Sequence, residues 1–167
     1  MARLIKDGAI VEDSWMLLRD AVDLDALASF DGMDIILPLS QWQLHHSQLS
    51  TRRGQTGVWL MSSEVPEALA DSLPNIPLIA LDFPLFSDGR AYSTARELRL
   101  NLSYAGELRA IGDVLYDQLS YMARCGFNAF AMREDQDLER ALSRFTDFKE
   151  GYQASVDKPV PLFRRRA

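Results

Sequence analysis

The stretch from Leu78 to Met132 constrains the fold most, because short apolar runs, turn residues and helical periodicity alternate there with little between them. Leu78-Ile-Ala-Leu81, Glu107-Leu-Arg-Ala-Ile111 and Asn128-Ala-Phe-Ala-Met132 are each short enough for a buried strand. Between the first two, from about Gly89 to Ser103, Ala91, Ala95, Leu98 and Leu102 share one face of a helix. Between the second and third, Asp113 predicts an N-cap, Leu115, Leu119 and Met122 a buried helical face, and Gly126 its end. Strands separated by helices imply right-handed crossovers, hence a parallel sheet covered on at least one face.

The same alternation continues outward in both directions. Leu4-Ile5 and Ala9-Ile10-Val11, around the turn Lys6-Asp7-Gly8, predict a short N-terminal β element. Asp13 to Gly32 has apolar residues without a single period and reads as mostly irregular. Asp34-Ile-Ile-Leu37 predicts a strand ended by Pro38, with Ser40 capping a helix through about Leu49. After a polar loop from Ser50 to Gly57, Val58-Trp-Leu-Met61 predicts another strand, and Ser63-Glu-Val-Pro66 opens a short helix to Leu73 that Pro74 stops. A last helix from about Asp135 to Phe148 carries Leu138, Ala141, Leu142 and Phe145 at core spacing.

The expected fold is therefore α/β: a single domain over residues 1–155 of successive βα units on a mainly parallel sheet, open or partial-barrel-like, with that short N-terminal β element. A Pro-containing basic tail, expected to be extended over 156–167, ends Arg164-Arg-Arg166. The length of 167 residues suits one core and is short for two. A half-barrel would leave open edges, which a homodimer would cover.

Charge and composition narrow the function. A net charge of -6 disfavours nucleic acid as a partner. No run approaches the roughly 18 apolar residues of a membrane span, and the start Met1-Ala-Arg-Leu-Ile-Lys-Asp-Gly lacks the apolar core of a signal peptide. A cytoplasmic location is expected. The single cysteine, Cys125, excludes an internal disulfide and cannot by itself supply an iron–sulfur cluster. No Walker loop, G-x-G-x-x-G fingerprint or helical zinc motif is present, so no cofactor is assigned.

Candidate chemistry concentrates where the strands end, since ligands of parallel sheets bind beyond the carboxyl ends. The turn after Leu81 gathers Asp82, Ser87, Asp88, Gly89 and Arg90. Ser87 or Asp88 can cap the following helix, Gly89 permits close backbone approach, and the helix dipole favours an anion. Arg90, Arg96 and Arg99 would add charge-assisted donors, with Tyr92 as a further donor; Tyr92, Arg96 and Arg99 form a stripe beside the apolar face. A phosphate or a sulfur oxyanion fits such a pocket. The plainer reading makes Asp88 a cap and leaves the arginines paired with carboxylates such as Glu97 or Asp113.

Asp82 and Asp113 each follow a strand, so adjacent strands would set them on one rim as an acid–base pair or as Mg²⁺ ligands; caps and solvated loops explain them equally simply. Glu134 and Asp135 extend this acidic rim, with Asp135 as another N-cap. His45 and His46 are adjacent rather than i, i+4, which argues against a metal site. Cys125, at a helix C-terminus, reads as a packed thiol. Arg164-Arg-Arg166 beside Phe163 reads as a solvated end that could dock a partner.

Phe83-Pro-Leu-Phe-Ser-Asp-Gly-Arg-Ala-Tyr-Ser-Thr-Ala-Arg-Glu-Leu-Arg99, followed by Gly106-Glu-Leu-Arg-Ala-Ile-Gly-Asp-Val-Leu-Tyr-Asp-Gln-Leu-Ser-Tyr-Met-Ala-Arg-Cys-Gly126, closely resembles the bacterial domain-of-unknown-function family number 934. Members of that family are typically encoded beside the haem-containing sulfite reductase and are often labelled oxidoreductases of sulfur assimilation. The resemblance implies an accessory of assimilatory sulfite reduction that binds the reductase, its electron donor or an anionic intermediate. It supplies no catalytic residues. The alternative is a small α/β enzyme acting on a phosphorylated or sulfur-containing anionic metabolite, with the arginines gripping the anion and Asp82 or Asp113 moving a proton.

Overall fold

A computed structural model describes residues 2–143, 145 and 153–165. The N-terminal hairpin forms as expected: β1 (Arg3–Lys6) and β2 (Ala9–Glu12) pair antiparallel, and Asp7 and Gly8 turn between them with positive φ. The chain then crosses to the far side of the sheet and returns one strand at a time. β3 (Met16–Leu17), β4 (Ile35–Pro38), β5 (Thr56–Leu60), β6 (Leu78–Phe83), β7 (Glu107–Gly112) and β8 (Ala129–Phe130) are parallel neighbours in that order, and β1 closes onto β8. The eight-stranded sheet curls into a half-barrel.

Consecutive strands that stay adjacent, joined by crossovers of one hand, put every helix on the same side. The larger core records this: Leu27, Leu39, Trp42, Leu69, Ala91, Leu98, Leu119 and Ala141 from the helical segments meet Leu37, Val58, Leu60, Ile79, Leu81 and Phe83 from the strands. A second, smaller cluster on the inner face, Ile36, Trp59, Leu78, Ala80 and Ile111, contains no helix residue. It is covered instead by Trp15 and Leu17, so the segment before α1 fills the inside of the half-barrel.

That segment corrects the expectation of irregular chain from Asp13 to Gly32. It holds β3 and a helix, α1 (Leu24–Ser29), whose first turn is capped by Asp23 accepting from Ala26 N at 2.7 Å. A two-residue strand leaves no period to read, and its hydrogen-bonding partner lies on β4. Other boundaries shift for local reasons. α2 (Leu39–Leu49) starts directly after Pro38, so Ser40 lies inside it and caps nothing. The helix expected from Ser63 to Leu73 is a 3₁₀ run, Pro66–Asn75, that continues through Pro74. α3 (Arg90–Arg96) passes into a π turn, Glu97–Asn101, with Ala91, Ala95 and Leu98 buried as predicted.

Asp113 and Asp135 are not N-caps. α4 (Leu119–Cys125) begins six residues after Asp113 and is ended by Gly126 at φ 111°. α5 (Leu138–Ser143) is preceded by Asp137, whose carboxylate accepts from Arg140 N at 3.1 Å. The rest of the last predicted helix, residues 144 and 146–148, and Arg166 of the tail lie outside the described residues. Before that end, Val156 N donates to Arg124 O and Leu162–Arg165 forms a single helical turn, α6.

Candidate functional site

Because the six parallel strands run the same way, the loops 18–23, 61–65, 84–89, 113–118 and 131–137 all open on one rim. Asp82 stands at that rim, but within β6 rather than in the turn after it, since the strand runs on to Phe83. Its side chain shares the inner face with Leu78 and Ala80, and one oxygen accepts from the Arg19 guanidinium at 3.0 Å. Arg19 in turn lies 5.6 Å over the Trp59 ring.

Asp113 sits one strand along, beyond Gly112. Gly112 has φ 92°, and a Cβ there would run into Phe83 O and come within 2.8 Å of Asp82 Oδ1. Glycine is therefore what allows β7 to turn sharply at the rim. The turn lets Asp113 N donate to Phe83 O at 2.7 Å and aims its carboxylate into the next loop. One oxygen accepts from Phe86 N at 2.9 Å and the other from Arg133 at 2.8 Å. Arg133 is gripped from behind by both oxygens of Asp135, at 2.6 and 2.8 Å. This pairing holds the Asp135 carboxyl low, at about 2, and raises the Arg133 guanidinium. Glu134 beside them is exposed.

The predicted anion-binding residues separate into four places. Asp88 and Arg90 meet: Arg90 Nε and an Nη reach the two Asp88 oxygens at 2.9 and 2.7 Å, and hydrogen bonds from Arg90 and Ser62 keep the Asp88 carboxyl well below the usual carboxylate range. Ser87 is exposed, and Gly89, the cap position of the seven-residue α3, makes no side-chain cap. Tyr92 is half-buried, edge-on to Phe83 at 5.2 Å and to Tyr121 at 4.9 Å, and burial pushes its phenol up to about 12. Arg96 is exposed. Arg99 lies at the opposite end of the sheet, where it donates to the carbonyls of Tyr104 (2.6 Å), Gly106 (2.9 Å) and Gly126 (2.9 Å) and to Asn128 Oδ1 (3.2 Å).

Several residues that matter here carry no motif. Arg19 and Arg133 come from loops distant in sequence, and Gln118 Nε2 donates to Phe86 O at 2.9 Å. Inside the half-barrel, Arg109 donates to Glu107 at 2.7 Å and to both oxygens of Asp13 at 3.0 Å, while Lys6 meets the other Glu107 oxygen at 2.7 Å. Glu107-Leu-Arg109 alternates charge at the period of a strand, which is the signal for such an inward-facing pair.

His45 Nε2 lies 3.2 Å from Val22 O, and His46 packs edge-on to Trp42. Among the described residues no group of His, Cys, Asp and Glu is arranged to hold a metal ion, and no helix is long and apolar enough to cross a membrane. Cys125 is buried, which pushes its thiol up.

Residues 57–163 match the model of a family described as "Bacterial protein of unknown function (DUF934)". No curated protein matches the chain.

Proposed function

Since the chain belongs to this bacterial family of unknown function, we propose that it is an accessory of assimilatory sulfite reduction that acts by binding. Its target is the reductase, its electron donor or an anionic intermediate. The pathway follows from the association of the family it resembles with the haem-containing sulfite reductase. The mode of action rests on one observation: the two rim carboxylates expected from the sequence to move a proton are each paired with an arginine. Asp113 divides itself between the Phe86 amide and Arg133, and one oxygen of the nearly buried Asp82 is paired with Arg19. A carboxylate tied to a guanidinium is oriented by that partner rather than by a substrate.

The enzyme alternative, action on an anionic metabolite, draws on Arg19, whose side chain is half-exposed beside the nearly buried Asp82. Both readings meet one experiment, growth of a deletion strain on sulfite compared with sulfide. Loss of growth on sulfite, rescue by sulfide and full complementation by Asp82→Ala support the binding accessory. Failure of Asp82→Ala to complement, with the protein folded, would move the assignment to the enzyme. Normal growth of the deletion strain on sulfite would remove the pathway. We propose that two copies pair along the edge strand β2, and light scattering on the purified chain measures it.

A further inference from the structure

Four large apolar side chains stand out of the two neighbouring loops that follow β5 and β6. Met61 is 50% exposed, Val65 61%, Leu85 62% and Phe86 59%. Other exposed apolar residues, such as Leu44 on α2, Leu100 in the π turn and Tyr121 on α4, belong to separate helical segments, and isolated ones are ordinary on any surface.

The backbone beneath the four is fixed. Met61 N donates to Glu64 Oε2 at 2.7 Å while Glu64 N returns to Met61 O at 3.0 Å. Phe86 is held from both sides, its amide by Asp113 and its carbonyl by Gln118. Asp88 is held by Arg90, and its amide donates to Leu85 O at 2.9 Å. Rigid loops with apolar side chains turned to water are the arrangement that lowers the ordering cost of association, and aromatic anchors of this kind dominate interface energetics.

The charge around them selects the occupant. The rim loops 18–23, 61–65, 84–89, 113–118 and 131–137 hold nine carboxylates against two arginines, Arg19 and Arg133, an excess of seven in a chain whose net charge is -6. Helix N-termini account for some of these, as Asp23 and Asp137 show. Asp20, Asp117 and Glu134 are exposed and neither cap a helix nor hold an ion pair among the described residues. A second copy would bring the same negative rim to the contact and be repelled.

We infer that this rim is the docking surface for a partner protein whose contact face is basic around an apolar pocket. The inference rests on the reading that the protein acts by binding, and it specifies where and to what kind of surface. In the test, a photo-crosslinking phenylalanine analogue replaces Phe86 of the full chain in cells, or Leu44 as the comparison, and the crosslinked peptides are sequenced. A single partner joined through Phe86 at a Lys/Arg-rich surface is expected. With that partner purified, Leu85→Ala/Phe86→Ala should weaken binding by about 10-fold or more. Asp117→Lys/Glu134→Lys should weaken it and flatten its salt dependence, and Leu44→Ala should leave it unchanged.

No crosslink at position 86, a crosslink to an acidic surface or to a second copy, or equal capture at 44 would overturn the inference. A basic partner that is not the sulfite reductase or its electron donor would leave this surface standing and remove the pathway. Undiminished binding of the reductase to the Leu85→Ala/Phe86→Ala chain would keep the pathway and remove the surface.

Discussion

The two ends of the sheet use arginine in opposite ways. At the end where strands begin, Arg52 donates to the carbonyls of Phe30, Met33 and Gln55, and Arg99 to those of Tyr104, Gly106 and Gly126. At the end where strands finish, Arg19, Arg90 and Arg133 donate to Asp82, Asp88 and the pair Asp113 and Asp135. The polarity of a βα unit explains the split. Phe30 and Gly126, which end α1 and α4, turn carbonyls to Arg52 and Arg99, whereas amides at the second end, those of Ala26, Phe86 and Arg140, take carboxylates. Arginine below thus ties chain termini of elements into the core, whereas arginine above neutralises carboxylates that shape loops. The lesson is that one residue type serves stability at one end and surface shape at the other, and sequence position along the unit says which.

Substitutions can break that contrast if it is wrong. The largest cost is expected for Arg109→Ala, which leaves the buried Glu107 with Lys6 alone and takes the cation from the partly buried Asp13; about 3 kcal/mol should be lost in urea unfolding. A loss below about 1 kcal/mol would show that the inner network is dispensable. Next, Arg99→Ala should cost about 2–3 kcal/mol because buried carbonyls lose their donors, and Arg99→Lys should recover little, an ammonium having no planar fork. Gly126 deepens that site: a Cβ there would come within 2.6 Å of Arg99 Cγ.

At the rim the effects on stability should be smaller and the effects on surface shape larger. Asp113→Ala is expected to cost about 1 kcal/mol, the scale of a single capping carboxylate. It should nevertheless speed hydrogen exchange at the Phe86 amide while leaving the Leu108 amide, held by Asn128, unchanged. Equal acceleration at both would dissolve the distinction between the ends.

The smallest expected effect is a pH dependence of the rim. Arg133 lowers the Asp135 carboxyl to about 2, below the ordinary aspartate value of about 3.9. With the folded value depressed, the pair contributes in full above about pH 4 and is lost as pH falls through about 2. A carboxyl carbon titration of Asp135 by NMR checks it, and a midpoint near 4 would mean that the clamp on Asp113 is open in solution.

Much of the fold was legible because buried parallel strands and amphipathic helices announce themselves by run length and period. Leu78–Leu81, Glu107–Ile111 and the face Ala91, Ala95, Leu98 follow that rule. Met16–Leu17 does not, because two residues have no period and their strand exists only through pairing with Ile35 and Ile36. The candidate site was legible in location more than in connection. Asp82 and Asp113 do lie on one rim, yet Arg19 and Arg133, which occupy them, are 63 and 20 residues away in the chain. Helical spacing put Arg99 on a stripe with Tyr92 and Arg96, but its long side chain reaches the opposite end of the sheet from the turn it was expected to serve.

What the sequence by itself determined is the succession of βα units, the burial of one helical face in each and the acidity of the loops at one end, since these depend on local period and on residue type. Whether the sheet curls into a half-barrel, which carboxylate meets which guanidinium, and that Leu85 and Phe86 stand outward on a clamped loop were decided only by the tertiary structure. Such contacts join residues from different loops through side chains of several rotatable bonds, and neighbouring residues alone do not fix where those side chains end.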